Sequence, residues 1–356
     1  MKLVGTLTLL LLAVGASWWV SRSPDEPEAP KPVAKPAIAS TAKTVPGASS
    51  APAAPAAPGL VRSNQWHRPT SPAKATLYSE YLRATELKPL YDRLKGSPEA
   101  ETADGKLVMY EILKECTEQG RKRGGNRGFV PTREKFVERL SSTDPQRDKR
   151  IAAYNDLVRD KCGGFEGMST SSADLMKLLE SAAAMGSPNA RAVHLEQQLL
   201  QQRRESGDGR VTLNDAQVRS LQEIASSKDP EAIRAAGRVL STGWNDYALR
   251  FAGDPTPLEA RPLMNAWMVL ACEYGSNCGA DTPRMQQACA LQGYCDAEAF
   301  PDFLFHYANS PHDTQLMMQY REVLRSAIES GNWSRVTVVR GPEAGGGRGI
   351  YWPGFR

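Results

Sequence analysis

The sequence predicts an all-α protein, built as an array of antiparallel helix hairpins that is solenoid-like or packed as an irregular bundle. Three observations predict this class. Helix-capping residues followed directly by proline recur through the chain, and glycines lie where helical apolar periodicity ends. The chain also has 6 cysteines, an even number that favours disulfide staples in an exported protein. We expect the array to follow a membrane segment and a disordered linker rich in proline and alanine.

Residues 1–22 are predicted to be a signal peptide or an uncleaved transmembrane anchor. After Lys2, an uncharged run extends from Leu3 to Val20, ends in a tryptophan pair and is followed by Arg22. A run of this length spans a bilayer, with the indole rings at the headgroup level. Cleavage after Ala16 is the alternative, but the run continues through the tryptophans, which favours the anchor. In both cases the rest of the chain is exported.

Residues 23–70 are predicted to be a disordered linker. The segment from Pro24 to Gly59 consists mainly of Pro, Ala, Ser, Thr and Lys, with few large apolar side chains. Such a segment buries too little surface to offset the entropy of ordering the chain. We expect it to act as a stalk that holds the folded part away from the membrane.

Residues 71–332 are predicted to form the helical domain. A Ser, Thr or Asp oxygen accepts hydrogen bonds from the first helical turn, and proline suits that turn because it lacks an amide hydrogen. The predicted starts are Ser71-Pro72, Ser97-Pro98, Asp144-Pro145, Ser187-Pro188, Asp229-Pro230, Thr256-Pro257, Thr282-Pro283 and Ser310-Pro311. The predicted glycine ends are Gly96, Gly120, Gly186, Gly243, Gly275, Gly293 and Gly331.

The C-terminal residues 333–356 are predicted to be a short strand and a flexible tail. Alternation from Trp333 to Val339 indicates a single strand. The glycine-rich run from Gly341 to Gly349 lacks the Lys-Ser/Thr end of a phosphate-binding loop. We therefore interpret it as tail.

An internal period of forty-two residues runs through the middle of the domain. Four positions recur at this spacing: Leu179, Ala183, Pro188 and Ala190 return as Leu221, Ala225, Pro230 and Ala232. This is the spacing expected of a repeated helix-turn-helix unit. From Leu178 to Ala190, an alanine pair, a turn glycine and an alanine in the next helix make the chain resemble the Sel1-like and tetratricopeptide-type helical repeats, roughly over residues 172–243. The resemblance implies helix-hairpin architecture and docking of other proteins.

The cysteines are predicted to form staples. Cys116 and Cys162 each end an apolar helical stripe, which favours a bond between them. The other four form two Cys-x5-Cys units, Cys272 with Cys278 and Cys289 with Cys295. Their connectivity stays open, with sequential bonds favoured because each pair leaves a helix end and returns after a turn. Five-residue gaps are too long for typical zinc sites, and no Cys-x-x-Cys is present.

Two groups of polar residues remain as candidate sites. The basic loop Arg121, Lys122, Arg123 and Arg127 is a candidate anion-binding loop, with a plain solvated loop as the favoured alternative. His306 and His312, with Asp302 and Asp313, form the nearest approach to an ionisable cluster, which we expect to be structural.

The predicted function is that of a non-catalytic cell-envelope protein, a membrane-tethered helical scaffold or docking module with its folded domain in the periplasm. The chain carries no metalloprotease, nucleophile-elbow or phosphate-loop motif, and its net charge of +4 is too weak to indicate nucleic acid. We expect a protein partner in the envelope, contact with the membrane through the N-terminal segment, and no cofactor. An envelope hydrolase acting on cell-wall glycan, and an effector secreted after cleavage, are the alternatives.

Overall fold

The computed structural model describes residues 76–117, 131–241 and 246–341, which all lie in the unit formed by residues 61–356. The protein is mostly helical, as predicted. The predicted membrane segment, the linker, the basic loop and the glycine-rich tail lie outside the described residues. Within those ranges, no helix combines the length and apolarity needed to cross a bilayer.

The structure describes thirteen α-helices in these ranges. In chain order they are α1 (Leu77–Arg83), α2 (Lys88–Lys95), α3 (Ala103–Cys116), α4 (Arg133–Arg139), α5 (Arg147–Leu157), α6 (Ser172–Ala184), α7 (Pro188–Glu205), α8 (Asp215–Ser226), α9 (Pro230–Leu240), α10 (Ala260–Glu273), α11 (Pro283–Gln292), α12 (Phe300–Phe303) and α13 (Pro311–Ser330). A 3-10 turn at Pro98–Glu101 precedes α3, and a π-helical turn at Leu304–Ala308 follows α12.

Several predicted helix starts are confirmed. Ser187, Asp229 and Ser310 cap α7, α9 and α13, each accepting a hydrogen bond from an amide of the first turn. Thr282-Pro283 begins α11 without a side-chain cap bond. Ser97-Pro98 begins the 3-10 turn rather than an α-helix.

Two predicted starts were wrong because the carboxylate nearby makes a turn instead. Asp144 accepts a hydrogen bond from the Gln146 amide at 2.8 Å, and α5 begins only at Arg147. Similarly, Asp254 accepts from the Thr256 amide at 2.8 Å, and α10 begins at Ala260. Asp and Ser side chains readily form such local turns, which compete with the helix cap.

The glycines predicted to end helices fall into three groups. Gly186, Gly275, Gly293 and Gly331 have φ between 70° and 109°, the left-handed conformation that ends a helix and that side chains disfavour. Gly96 ends α2 with φ of −101°, so it needs no special conformation there. Gly120 and Gly243 lie outside the described residues.

Successive helices pack side by side. α3 contacts α6, α6 contacts α7, α7 contacts α9, α9 contacts α10 and α10 contacts α13, while α8 lies against α7, α9 and α13. The forty-two-residue period has structural equivalents: Leu179 of α6 and Leu221 of α8 are both fully buried. Pro188 and Pro230 open the second helix of each hairpin.

The largest core lies around Trp267 of α10, which is fully buried. Helix α9 approaches it closely at Gly237, where an added Cβ would lie 2.4 Å from Trp267 Cβ. Glycine is therefore required at this position to keep α9 against α10. Separate clusters lie around α3 and α6, and around Phe136 and Tyr154 of α4 and α5.

The described residues also contain a two-stranded antiparallel sheet. β2 (Val336–Arg340) lies within the predicted strand region but pairs with β1 (Tyr247–Phe251), with Leu249 opposite Val338. The prediction of a single strand was therefore wrong. β1 was missed because it is only five residues long, although Tyr247 and Leu249 are buried and alternate with the less buried Ala248 and Arg250.

The cysteines form three disulfides, Cys116–Cys162, Cys272–Cys278 and Cys289–Cys295, which is the pairing favoured on spacing. Such bonds indicate an oxidising environment. One detail differs from the expectation: Cys162 does not end a helical stripe. Helix α5 ends at Leu157, and Cys162 lies in a turn held by Asp160, whose carboxylate accepts from the Cys162 amide at 3.0 Å.

Candidate functional site

The sequence-predicted candidates do not assemble into one site. His312 lies 3.5 Å from Glu259 Oε1, Asp313 completes the cap of α13, and His306 contacts the Tyr307 ring. Within the described ranges, no group of His, Cys, Asp and Glu is arranged to hold a metal ion. The basic loop of Arg121, Lys122, Arg123 and Arg127 lies outside them, so its role stays a prediction.

A different cluster is formed by three arginines from two helices. Arg234 and Arg238 lie one turn apart on α9, and Arg284 lies in the first turn of α11. The Arg284 guanidinium carbon lies 4.5 Å from the centre of the Phe300 ring, a cation–π contact. Together Arg234, Arg238 and Arg284 are the arginine cluster.

The arginines are close enough to influence one another. Burial lowers the pKa of Arg284, and the positive charges of Arg234 and Arg238 lower it further, to about 9. Burial would also lower the pKa of Arg238, but Glu196 raises it above the usual value. The Arg234 and Arg238 side chains are nevertheless 24 % and 37 % exposed.

Two glutamates bridge the cluster to its surroundings. Glu196 of α7 accepts hydrogen bonds from Arg238 Nη2 at 2.9 Å and Arg238 Nε at 3.4 Å. Glu231 forms an ion pair with Arg234 and accepts a hydrogen bond from the Ser276 hydroxyl at 2.6 Å. The Arg234 Nε is buried and makes no hydrogen bond within the described structure.

Tyr78 of α1 lies near the charges of the arginine cluster, and Tyr81 packs against Tyr78. Burial raises the pKa of Tyr78 above its usual value, with Glu111 adding to the rise and Arg234 opposing it, which places these charges near the phenol. Tyr78 and Tyr81 pack with ring centres 5.6 Å apart. Lys114 lies 5.1 Å from the Tyr110 ring centre. The residues of this region, which we call the arginine–tyrosine face, are Tyr78, Tyr81, Arg234, Arg238 and Arg284.

The carboxylates around this face form hydrogen bonds, an ion pair and a helix cap. Glu111 accepts from Lys114 at 3.1 Å, and Glu115 accepts from the Tyr81 hydroxyl at 3.0 Å. Asp229 caps α9 through the Ala232 amide at 2.8 Å, and burial raises its pKa despite this bond.

Comparisons of the chain with protein-family models, with curated proteins and with solved structures returned no match. The geometry of the chain carries the functional argument.

Sequence reasoning missed the arginine cluster. Arg234 and Arg238 are four residues apart, a spacing that places both on one face of a helix. That signal was available, but Arg284 comes from a different helix, α11, whose main packing partner is α5. The period offered a second signal, since Glu196 and Arg238 are forty-two residues apart and bond to each other.

Proposed function

We propose that the chain is an exported helical docking module, tethered by its N-terminal segment and stalk, which binds another protein of the cell envelope on the arginine–tyrosine face. The observation that carries the proposal is the composition of this face. Tyrosine and arginine are the residues most enriched where partner proteins bury their strongest contacts. Here they come from three helices, α1, α9 and α11.

The hairpin architecture supports the same function. We interpret α6–α7 and α8–α9 as two units of a solenoid, because Glu196 and Arg238 occupy equivalent positions one period apart and form a salt bridge between the units. In a solenoid, side chains at equivalent positions line up into extended binding surfaces. The Glu196–Arg238 pair is one such alignment, and it connects α7 to the part of the arginine–tyrosine face that lies on α9.

Site-specific photo-cross-linking in the native envelope tests this function. A photoreactive phenylalanine analogue replaces Tyr81 on the face or, as a control, the exposed Met185 outside it. We expect a reproducible protein adduct from position 81 and none of the same mass from position 185. Adducts that are equal at both positions, or absent from both, would contradict a docking role for the face.

A further inference from the structure

A groove with polar walls lies between α7 and α8 and encloses a cavity of about 320 Å³. Residues three or four apart share one face of a helix. The polar lining comes from one such face on each helix: Arg191, His194 and Gln198 on α7, and Asn214, Gln217 and Ser220 on α8 and its cap. Helices that pack closely meet through apolar stripes. Here two polar stripes face each other across a cavity, which we call the α7–α8 groove.

The lining of the α7–α8 groove suits the backbone of an extended chain. Asn214 Oδ1 accepts from the Gln217 amide, and Gln217 Oε1 accepts from the Asn214 amide, both at 2.9 Å. These bonds occupy the two oxygens and leave both side-chain NH2 groups available to donate. Gln198 Nε2 lies 3.4 Å from His194 Nε2, so the Gln198 oxygen is available to accept. Side-chain amides offer a donor and an acceptor, as every peptide unit does.

The described residues end at Gly341, close to one end of the α7–α8 groove. Arg340 Nη2 pairs with Asp215 Oδ1 at 2.6 Å, and Arg340 Nε donates to the Leu213 carbonyl at 2.6 Å. Asn214, which lines the groove, lies between these two residues in the chain. Residues 342–356, which we call the C-terminal segment, therefore continue from a point within reach of one arginine side chain from the groove.

The length of the glycine run in the C-terminal segment matches the length of the groove. The α7 wall from Gln198 to Arg191 covers about 10 Å, at 1.5 Å per helical residue. Three extended residues also cover about 10 Å, and residues 345–347 are all glycine. The three residues before them supply about 10 Å of reach from Gly341. Glycine carries no side chain, so its backbone can approach the groove walls closely.

Carboxylates at the far end of the groove fit the residue that follows the glycines. Arg191 marks this end, because its Nη2 donates to Glu223 of α8 at 3.0 Å. Glu180 of α6 lies 3.9 Å from His194, and the Glu223 and Glu180 side chains are 66 % and 57 % exposed. A carboxylate has several acceptor sites, so each can take a further charge-assisted bond. Arg348 comes directly after the glycine run.

We propose that the α7–α8 groove binds the C-terminal segment of the same chain, with the backbone of residues 345–347 between the two polar stripes and Arg348 at the exposed carboxylates. The bound segment would cover the groove and exclude other extended peptides from it. This surface shares no residue with the arginine–tyrosine face, so the proposal does not depend on the docking function proposed above.

Hydrogen exchange resolved to single residues tests the proposal on the full-length chain, purified in mild detergent. The reference is a free synthetic peptide with the sequence of residues 342–356. We expect the amides of residues 345–348 to exchange at least about tenfold more slowly in the chain than in the peptide, because bound amides are protected. The protection should not depend on protein concentration, since the segment belongs to the same chain.

Variants connect the protection to the groove. Gly346→Val places a side chain between the polar stripes, and we expect it to abolish the protection relative to a peptide with the same substitution. Gln198→Ala removes one groove amide and should reduce the protection at least about twofold. Gln201→Ala is the matched control, because Gln201 is exposed on α7 and bonds to Glu205 at 2.9 Å instead of lining the groove. Unchanged thermal melting shows that each variant is folded.

Three outcomes would overturn the proposal. They are exchange of residues 345–348 at the rate of the free peptide, protection that survives both Gly346→Val and Gln198→Ala, and protection that rises with protein concentration. The last outcome would mean that the segment of a second copy occupies the groove. Photo-cross-linking from position 81 measures the docking function separately, so failure of one proposal is distinguishable from failure of the other.

Discussion

The two Cys-x5-Cys units have the same spacing and the same bond pattern but different surroundings. Cys272 and Cys278 are 1 % and 9 % exposed and belong to the main core. Cys289 and Cys295 are partly exposed and line a small cavity of about 220 Å³. Spacing along the chain therefore predicts which bond forms, whereas packing decides what the bond supports.

The first unit supports the arginine–tyrosine face. Ser276, inside the unit, donates to Glu231, which pairs with Arg234. The Cys278 carbonyl accepts from the Phe300 amide at 2.7 Å, and the Phe300 ring lies under Arg284. The turn closed by this disulfide thus contacts the arginine cluster from two sides.

The second unit joins two helices at the surface. Arg150 Nε of α5 donates to the Ala290 carbonyl of α11 at 3.0 Å. Asp296, next to Cys295, accepts from Gln146 at 2.6 Å and pairs with Lys149 at 2.9 Å. This disulfide strengthens a contact between α5 and α11 and lies outside the main core.

The largest difference in the free energy of unfolding between the two units is expected when each disulfide is removed. The two closed loops have equal length, so the loss of loop-closure entropy costs about 2 kcal/mol in both. Removing buried sulfur atoms adds about 2 kcal/mol for Cys272→Ala with Cys278→Ala, but little for Cys289→Ala with Cys295→Ala. Denaturant unfolding measures both, with helix content from circular dichroism largely unchanged. Equal losses of unfolding free energy in the two double variants would show that the burial of Cys272 and Cys278 adds nothing to stability.

The acidic residues next to each bond give the second test. Glu273, directly after Cys272, is 6 % exposed and pairs with Arg321 and Arg325, whereas Asp296 is 57 % exposed. Glu273→Gln leaves the buried Arg321 without its full counter-charge, and we expect a loss of about 3 kcal/mol. Asp296→Asn should change the free energy of unfolding by less than about 0.5 kcal/mol. Similar losses in the two variants would contradict this comparison.

Reduction under native conditions gives the third test. Thiol–disulfide exchange requires access to a sulfur atom, and only the second of the two units is partly exposed. We expect limiting reductant to open Cys289–Cys295 before Cys272–Cys278, as measured by timed alkylation and peptide mass spectrometry. Simultaneous opening would mean that the core around Cys272 opens as readily as the surface.

Acid should weaken the contact between α5 and α11 at the second unit. Of the four tests, this one should give the smallest change in stability. A hydrogen bond from the Gln146 amide and another from Arg150 hold the pKa of Asp144 below its usual value of 3.8. A lowered carboxyl pKa gives stability that is present above the unfolded value and lost as pH falls through the folded value. Asp144→Asn should therefore melt below the wild type at about pH 5, and the difference should shrink as the pH falls below the unfolded value of 3.8. A difference that persists in acid would mean that the carboxylate charge is not the cause.

The comparison also shows which features a sequence can predict. The caps at Ser187 and Asp229 depend on residues close in sequence, and they were predicted. The three disulfide pairings are the favoured ones, although the connectivity of the last four cysteines was left open. The arginine cluster takes residues from α9 and α11, and these helices are held by different neighbours: α9 packs on α10 at Gly237 and Trp267, whereas α11 packs mainly on α5. No local pattern near Arg284 contains that information.

Hydrogen exchange on the full-length chain, in native membrane fragments that retain its envelope partners and after purification in mild detergent, tests the central claim most directly. In the membrane fragments we expect added protection in α1, in α9 and at the start of α11, and no change in α8 or at the Cys289–Cys295 turn. Protection confined to α8 or to the second unit, or no protection at all, would contradict the assignment of the arginine–tyrosine face as the docking site.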